Sequence, residues 1–377
     1  MPWTYLDHAS GSPLRTAAFE AMLPYLRDHP GDPGRVHTEG RITRVAVEDA
    51  REQVAALFGS RPREVVFTAS GTEAINTAIW GATAERGGGV HVVTTAGEHS
   101  AVREALERAP VTVTAAPVDG QGRIDAGAVI DAIGPQTVLV SVQWANHEVG
   151  TLQPALEIVA ACRERGVLVH VDACMAAGHL PVDFKASGVD LLSVTGYKLG
   201  GPRGTAALLV RRGLRFAPFV VGGAQERARR GGAEDVAGIV GFGAACAELA
   251  SDGRLSLEAD VARAQTERLI AGATAAVPGV RVYGDPVGRV PNLVCLGVDG
   301  VEAEPVLLGL DQRGVAVHSG SSCSSELLEP SPVLAAMGVD AEHSLRVSVG
   351  WNTTDADIDA FLTAFPDVVG RLRALRG

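Results

Sequence analysis

Short apolar runs alternate with helical patterns over residues 41–210, and this alternation constrains the fold more than any other feature of the chain. The runs are rich in valine, leucine and threonine, as is typical of buried strands. They lie at 63–68, 90–95, 137–143, 167–173, 190–195 and 205–210. Helical patterns over 41–58, 70–83 and 154–166 precede or separate them. Strands that alternate with helices predict an α/β fold with a mainly parallel sheet between helices.

A second region follows a helical pattern at 255–273 and has strand-like runs near 279–283, 292–298 and 345–349. The chain has 377 residues, 46% of them apolar, which is enough for a large domain and a smaller one. We therefore predict a large domain over 12–254 and a smaller α+β domain formed by 1–11 and 255–377.

Charge and cysteine usage exclude several classes of protein. The net charge of −11 disfavours direct binding of nucleic acid. The first residues lack a basic and apolar signal sequence, and no apolar run approaches the ~20 residues that span a membrane. The five cysteines include no CxxC pair, so we expect free thiols and no metal site. These features predict a cytoplasmic protein without membrane segments.

Polar residues follow the strand-like runs at the points where the runs end. Ligands bind outside the carboxyl ends of strands in open α/β sheets. The residues are Ser70-Gly71-Thr72, Glu98-His99, Asn146, Asp172 and Thr195 to Lys198. They include an anion-binding turn, a carboxylate and an amine, which together are the components of a pyridoxal-phosphate site. Two ordinary interpretations remain open, because Asp172 could be a turn residue and Gly71-Thr72 a simple helix cap.

Only two of the 33 basic residues are lysines, Lys185 and Lys198. Arginine cannot form an imine with an aldehyde, so a cofactor held by an imine has two candidate residues. Lys198 lies in the glycine-rich segment TGYKLGGPRGT, where the backbone can approach a ligand closely. Lys185 lies in VDFKASG and is better explained as a solvated lysine. We therefore expect Lys198 to hold the cofactor.

Two residues of the second region are candidates for contact with a substrate. Cys323 lies among small polar residues in VHSGSSCSSELLEP, which predicts an exposed loop thiol. Arg346 interrupts the strand-like run SLRVSVG, and its guanidinium could grip a carboxylate with two hydrogen bonds. An incidental thiol and a structural ion pair remain the alternatives. Cys162, Cys246 and Cys295 lie in apolar patterns that are typical of buried thiols.

Nine motifs occur in an order that resembles the cysteine desulfurases of the class V aminotransferase group, which have pyridoxal-phosphate fold type I. The resemblance covers nearly the whole chain, and its SGSSC segment resembles the group with a long mobile cysteine loop. The motifs are YLDHASGSPL, FTASGTEAIN, TAGEHSAV, VQWANHEVGTLQP, HVDACMAAGHLPVD, TGYKLGGPRGTAALLV, GGAQERARRGGAEDV, SGSSCSSELLEPSPVLAAMG and LRVSVGWNTTDADID.

The resemblance implies a chemical role for five residues. Lys198 would form the imine with pyridoxal phosphate, and Asp172 would pair with the ring nitrogen. His99 would stack on the ring and move protons. Cys323 would attack the sulfur of L-cysteine, and Arg346 would hold the carboxylate of that substrate.

The resemblance also implies which residues surround the rest of the cofactor. Asn146 would contact the phenolic oxygen and the substrate, and the phosphate would lie among Gly71, Thr72, Thr195 and Tyr197. Met175 stands where the family usually has a glutamine that donates to the phenolic oxygen. Tyr197 replaces a histidine, and Ala233 replaces a threonine that reaches the phosphate from the partner subunit. These departures predict weaker cofactor binding or a specialised enzyme.

The implied activity is conversion of L-cysteine to L-alanine, with a persulfide on Cys323 that passes to a sulfur acceptor. The acceptor would be an iron–sulfur scaffold, a thiolation enzyme or a DNA phosphorothioation complex, and the enzyme would be a homodimer. Two alternatives remain. One is a selenocysteine lyase or another pyridoxal-phosphate C–S lyase of the same fold, and the other is a sulfur carrier or scaffold without catalytic activity.

Overall fold

The computed structural model describes residues 3–86, 89–319 and 331–376. Its strands are β1 Thr4–Tyr5, β2 Val65–Thr68, β3 His91–Thr95, β4 Thr112–Ala116, β5 Thr137–Gln143, β6 Leu168–Asp172, β7 Leu191–Thr195, β8 Ala206–Val210, β9 Val280–Tyr283, β10 Leu293–Val298, β11 Val315–Ala316, β12 His318–Ser319 and β13 Ser344–Ser348.

The α-helices surround and connect these strands. They are α1 Thr16–Arg27, α2 Thr38–Leu57, α3 Gly71–Thr83, α4 Ser100–Arg108, α5 Ala126–Asp131, α6 Ala155–Arg165, α7 Phe184–Ser187, α8 Gln225–Ala228, α9 Val236–Ala250, α10 Arg254–Ala276, α11 Ala303–Asp311, α12 Pro332–Ala336 and α13 Asp355–Arg376.

Seven strands form the main sheet in the order β2-β8-β7-β6-β5-β3-β4. Only β8 runs opposite to the other strands of this sheet, because it pairs antiparallel with both β2 and β7. The prediction of a mainly parallel sheet between helices is confirmed. The carboxyl ends of β5, β6 and β7 therefore lie side by side, with Gln143 opposite Asp172 in the register.

The centre of the main sheet is apolar, with one polar cross-link. Most valines and leucines of β5, β6 and β7 are buried, since helices cover both faces. His170 is also fully buried, and its two ring nitrogens lie 2.9 Å from the hydroxyls of Ser141 and Ser193 on the neighbouring strands. These bonds satisfy the polar atoms of His170 and tie three strands together.

A second sheet has the order β12-β13-β10-β9, and it has its own hydrophobic core with α10, α11 and α13. Leu6 belongs to this second core, and β1 pairs in parallel with β11. The beginning of the chain thus packs with its last third. The domain bounds of 12–254 for the large domain and of 1–11 with 255–377 for the small one stay a prediction.

No single helix of the described residues is long and apolar enough to cross a membrane. The helices α9 and α10 reach the required length and composition only when they are taken together, and they are bent by 80° at the break between them.

Candidate active site

A pocket at the carboxyl ends of β5, β6 and β7 collects most of the residues that the sequence singled out. The beginning of α3 and the residue before α4 complete its wall. The predicted cofactor residues that line it are Lys198, Asp172, Gly71, Thr72, His99, Thr195, Tyr197 and Met175. Their individual roles toward a cofactor stay predictions.

Lys198 is buried in this pocket just after β7. Its side-chain nitrogen lies 3.9 Å from the sulfur of Met175, which is a weak acceptor. Lys185 is exposed on α7 and lines a different cavity together with residues at the beginning of β6 and β7. Of the two lysines, Lys198 therefore has the position that an imine with a bound aldehyde requires.

Asp172 is the last residue of β6 and lines the same pocket. One of its carboxylate oxygens accepts a hydrogen bond of 2.9 Å from the backbone of Cys174. The turn role that the sequence left open is therefore real, and it fixes the carboxylate in the pocket wall. A carboxylate held in this way could keep a pyridine nitrogen protonated.

The beginning of α3 offers an anion-binding end to the pocket. Ser70 caps the helix by accepting from the backbone of Glu73, and Gly71 and Thr72 form its first turn. A side chain at Gly71 would meet the sulfur of Cys174 at 2.8 Å, so the close approach requires glycine. The buried hydroxyl of Thr195 has no hydrogen-bond partner among the described residues. Free helix N–H groups and an unpaired hydroxyl fit a phosphate.

His99 lies directly before α4 and caps it through its ring. Nitrogen Nδ1 accepts a hydrogen bond of 3.0 Å from the backbone of Ala101, so the neutral ring carries its proton on Nε2. Burial, together with the positive charge of Lys198, lowers the pKa of His99 to about 4. The ring is therefore neutral in the pocket unless an anion binds beside it.

Three polar residues of the pocket region were missed by sequence reasoning, although all three lie in the quoted motif VQWANHEVGTLQP. Gln143 ends β5, lines the pocket and donates through Nε2 to the carbonyl of Gly97 at 2.8 Å. His147 lines the pocket, and its ring makes an edge contact with that of His99 at 4.9 Å. Glu148 is fully buried behind it. The sequence signal that could have found these three residues was the run of polar residues directly after an apolar strand.

Asn146 is buried, but its side chain closes the turn after β5. The amide oxygen accepts from the backbone of Glu148 and Val149, and the nitrogen donates to Gly97 at 3.2 Å. It does not line the pocket, and its contact with the phenolic oxygen and the substrate stays a prediction.

Arg346 lies on β13 and is buried where the two sheets meet. Its guanidinium donates to the carbonyl of His147 at 3.1 Å, to the hydroxyl of Ser10 at 2.7 Å and to Asp7 at 3.2 Å. The structural ion pair that the sequence left open is present. His147 lines the pocket and accepts a hydrogen bond from Arg346, so only this residue separates Arg346 from the candidate site.

The cysteines divide into buried ones and Cys323, which lies outside the described residues. Cys162, Cys246 and Cys295 are buried as predicted, and burial raises the pKa of each thiol. Cys174 is buried as well, in the pocket wall. None of these four thiols is suited to react as a thiolate.

Ala233 is exposed and lies away from the pocket of Lys198, in a cleft that Thr205 and Glu226 also line. The resemblance implied that a threonine at this position would reach the phosphate from the partner subunit, and this stays a prediction.

Comparison with known proteins shows which family the chain resembles. The sequence pattern of the family "Aminotransferase class-V" matches residues 4–361. The chain is 41% identical over 379 residues to a cysteine desulfurase of Trichormus azollae, covering 98% of this chain and 94% of the relative. It is 39% identical over 380 residues to the cysteine desulfurase IscS of Dictyoglomus turgidum, covering 98% and 95%.

Two solved structures are similar along most of the chain. A NifS-like protein has a TM-score of 0.90 at 28% identity, covering 98% of this chain and 100% of the other. SspA in complex with cysteine has a TM-score of 0.80 at 28% identity, covering 92% and 98%.

The fold is that of pyridoxal-phosphate fold type I, and the chain belongs to the class V aminotransferase family. Within this family it belongs to the cysteine desulfurases. The family, the fold and the class of enzyme that the motifs predicted are confirmed.

Proposed function

We propose that this protein is a pyridoxal-phosphate-dependent cysteine desulfurase that converts L-cysteine to L-alanine and carries the sulfur as a persulfide on Cys323. The observation that carries the proposal is the buried amine of Lys198 in a pocket with Asp172 and His99. That the similar protein SspA has been solved in complex with cysteine supports the choice of substrate.

The pocket residues fit the cofactor. When bound, pyridoxal phosphate supplies an electron sink that stabilises negative charge on the substrate carbon next to the amino group. Lys198 would bind its aldehyde, and Asp172 would keep its ring nitrogen protonated. The turn of Gly71 and Thr72 and the unpaired hydroxyl of Thr195 would bind its phosphate.

The chain's own residues handle protons, orientation and the sulfur. Neutral His99 has a proton on Nε2 and can exchange it with the substrate, while Lys198 acts as the second proton carrier. Arg346 holds the substrate carboxylate with its planar fork. Cys323 must reach the thiolate state to attack the substrate sulfur.

The proposal also includes a homodimeric assembly and a protein that accepts the sulfur. Trp80 and Phe219 are about 40% exposed and their rings contact each other at 6.3 Å, which supports a subunit contact in a homodimer. The acceptor is a protein such as an iron–sulfur scaffold, a thiolation enzyme or a DNA phosphorothioation complex. The net charge of −11 argues that any nucleic acid is reached through that partner. The cytoplasmic location stays a prediction from the free thiols.

The test is to incubate the cofactor-loaded protein with L-cysteine and to measure alanine by chromatography and the persulfide by mass spectrometry. We expect alanine and an added sulfur on the peptide with Cys323. The Cys323→Ser variant should form neither alanine nor the persulfide and should keep the cofactor absorbance. The Cys162→Ala variant, which changes a remote buried thiol, should form both products. A Cys323→Ser variant at the wild-type rate would refute the role of this thiol. Faster turnover of selenocysteine or cystathionine would favour a C–S lyase.

A further inference from the structure

A second cavity, here called the basal cavity, lies at the opposite end of the main sheet from the pocket of Lys198. Its volume is about 420 Å³, which is within the size range of sites for small molecules. Its wall includes Val167 and Leu168, where β6 begins, and Val189 and Asp190, which directly precede β7. Because β6 and β7 end at the pocket of Lys198, the two cavities lie at opposite ends of the same strands.

Four cations line the basal cavity, and most of them have no carboxylate partner. They are Arg61, Arg163, Lys185 and Arg211. Arg211 forms an ion pair with Asp190. The other three form no ion pair with any carboxylate in the described part of the chain. Since a guanidinium stays protonated at every physiological pH, the two unpaired arginines keep their charge.

The two carboxylates of the basal cavity, Glu64 and Asp190, are already occupied by other donors. Both oxygens of Glu64 accept hydrogen bonds from backbone N–H groups, at 2.8 and 3.1 Å. One oxygen of Asp190 accepts from the backbone of Val169 at 2.9 Å, and the other accepts from Arg211. With four cations and two carboxylates the formal charge of the cavity is +2, in a chain whose net charge is −11.

The three unpaired cations come from three separate segments of the chain. Arg61 precedes β2, Arg163 lies on α6 and Lys185 lies on α7. Gly188 ends α7 with a positive φ of 72°, and a side chain at this position would meet Nη1 of Arg163 at 2.6 Å. The guanidinium of Arg163 therefore lies against the end of the helix that carries Lys185. Cations that are gathered in a cleft without a partner repel one another and attract anions.

We propose that the basal cavity binds a small anion that carries two or more phosphate groups. A guanidinium matches phosphate oxygens with two parallel hydrogen bonds, and an ammonium binds them as a point charge. Three unpaired cations exceed what one monovalent ion needs, which favours a polyvalent anion. The concave shape and the volume favour a small molecule over a protein surface. This site is separate from the phosphate-binding turn of α3, which lies at the other end of the strands.

The test is calorimetric titration of the cofactor-loaded protein with pyrophosphate, so that the turn of α3 is already occupied. We expect one site per chain and weaker binding of inorganic phosphate. Arg163→Gln and Lys185→Gln should each raise the dissociation constant roughly fivefold or more, because each removes a charged hydrogen bond to the anion. A wild type that does not bind millimolar pyrophosphate, or variants that bind it as the wild type does, would overturn the proposal.

Two matched variants separate this cavity from a general attraction of anions. Lys185→Arg keeps a cation at the same position and should bind pyrophosphate as the wild type does. Arg371→Gln removes an exposed arginine of α13 that does not line the basal cavity, and it should also bind as the wild type does. Equal loss of affinity in Arg371→Gln and Arg163→Gln would show that only the overall charge matters, and the site would be excluded.

Thermal unfolding gives a second readout of the same binding. A ligand that binds only the folded state raises the melting temperature. Pyrophosphate should therefore raise it in the wild type and in Arg371→Gln, and by clearly less in Arg163→Gln and Lys185→Gln. Equal increases in all four proteins would contradict the proposed site.

A competition experiment decides between a small anion and an acidic protein segment as the ligand. Hexaglutamate should bind more weakly than pyrophosphate, because an extended peptide does not fit into the cavity. Tighter binding of hexaglutamate that depends on Arg163 and Lys185 would replace the proposed ligand by an acidic segment of a partner. All these measurements record binding and not turnover. A protein that binds pyrophosphate and makes no alanine would therefore refute the proposed function and leave this site intact.

Discussion

The sulfur of Met175 lies 3.9 Å from the side-chain nitrogen of Lys198, and both residues line the pocket. A thioether is a weak acceptor and has no hydrogen to donate. Met175 therefore fills the pocket beside the amine without offering a donor to a bound oxygen. Gln143, at the end of the adjacent strand β5, uses one of its two amide hydrogens for the carbonyl of Gly97.

Replacing Met175 by glutamine should strengthen the binding of pyridoxal phosphate. A new hydrogen bond to the charged phenolic oxygen contributes about 1.5–3 kcal/mol, which corresponds to a dissociation constant lower by roughly tenfold or more. Absorbance titration of cofactor-free protein measures the constant. Met175→Leu, which keeps the apolar volume and adds no donor, is the control and should bind as the wild type does. Equal affinity of the two variants would contradict the donor argument.

Reduction with borohydride should fix the cofactor on Lys198. The imine carbon is reduced to a stable amine, so mass spectrometry should find the pyridoxyl group on the peptide with GYKLGGPR. Lys198→Arg should lose the label and the visible absorbance, since arginine forms no imine. Lys185→Arg, the exposed control, should keep both. Label on Lys185, or none in cofactor-saturated protein, would exclude the assignment of Lys198.

The buried strands could be predicted from the sequence, while the strands at the margins could not. Strands β5, β6 and β7 are covered on both faces, so they read as continuous apolar runs. Strand β4 lies at the edge of the sheet, and its first four residues are exposed, so it has no such run. The two-residue strand β1 pairs with β11 more than 300 residues away, and no local pattern carries that information.

Prediction from the sequence met a similar limit at the candidate site. The predicted strand ends located the pocket, because ligands bind at the carboxyl edge of an open α/β sheet. Asp172 was found with it, since this carboxylate stands at the carboxyl end of a buried strand. The run after β5 offered several polar residues, and the sequence does not say which of them turn inward. The turn places His147 in the pocket wall and uses the amide of Asn146 for its own backbone.

Arg346→Lys should raise the KM for cysteine by roughly tenfold or more with a smaller change in kcat, because an ammonium cannot make the two parallel bonds of a guanidinium. The bonds to Asp7, Ser10 and His147 show that this guanidinium serves several acceptors at once. Initial rates against cysteine concentration measure both constants. Arg281→Lys, an exposed arginine on β9 of the same sheet, is the control. A variant with unchanged KM and a lower melting temperature would favour a purely structural ion pair.

The buried carboxyl of Glu98 should make the protein less stable as the pH rises from about 4.5 to 8. Its oxygen Oε1 accepts from the hydroxyl of Thr95 at 2.7 Å and from the backbone of Gln143 at 3.1 Å, but burial dominates and raises its pKa from 4.5 to about 8. Between these values the unfolded chain has lost the proton and the folded chain keeps it. The unfolded state therefore binds fewer protons, and the free energy of unfolding falls with rising pH.

Glu98→Gln should remove this part of the pH dependence. The amide keeps an oxygen for Thr95 and Gln143 and carries no proton that ionises, so the variant should gain in melting temperature relative to the wild type as the pH increases from about 5 to 8. Thermal unfolding of cofactor-free protein at several pH values measures the difference. Glu104→Gln, an exposed position on α4, is the control and should follow the wild type at every pH. If the difference between Glu98→Gln and the wild type stays constant over this range, Glu98 is ionised in the folded protein.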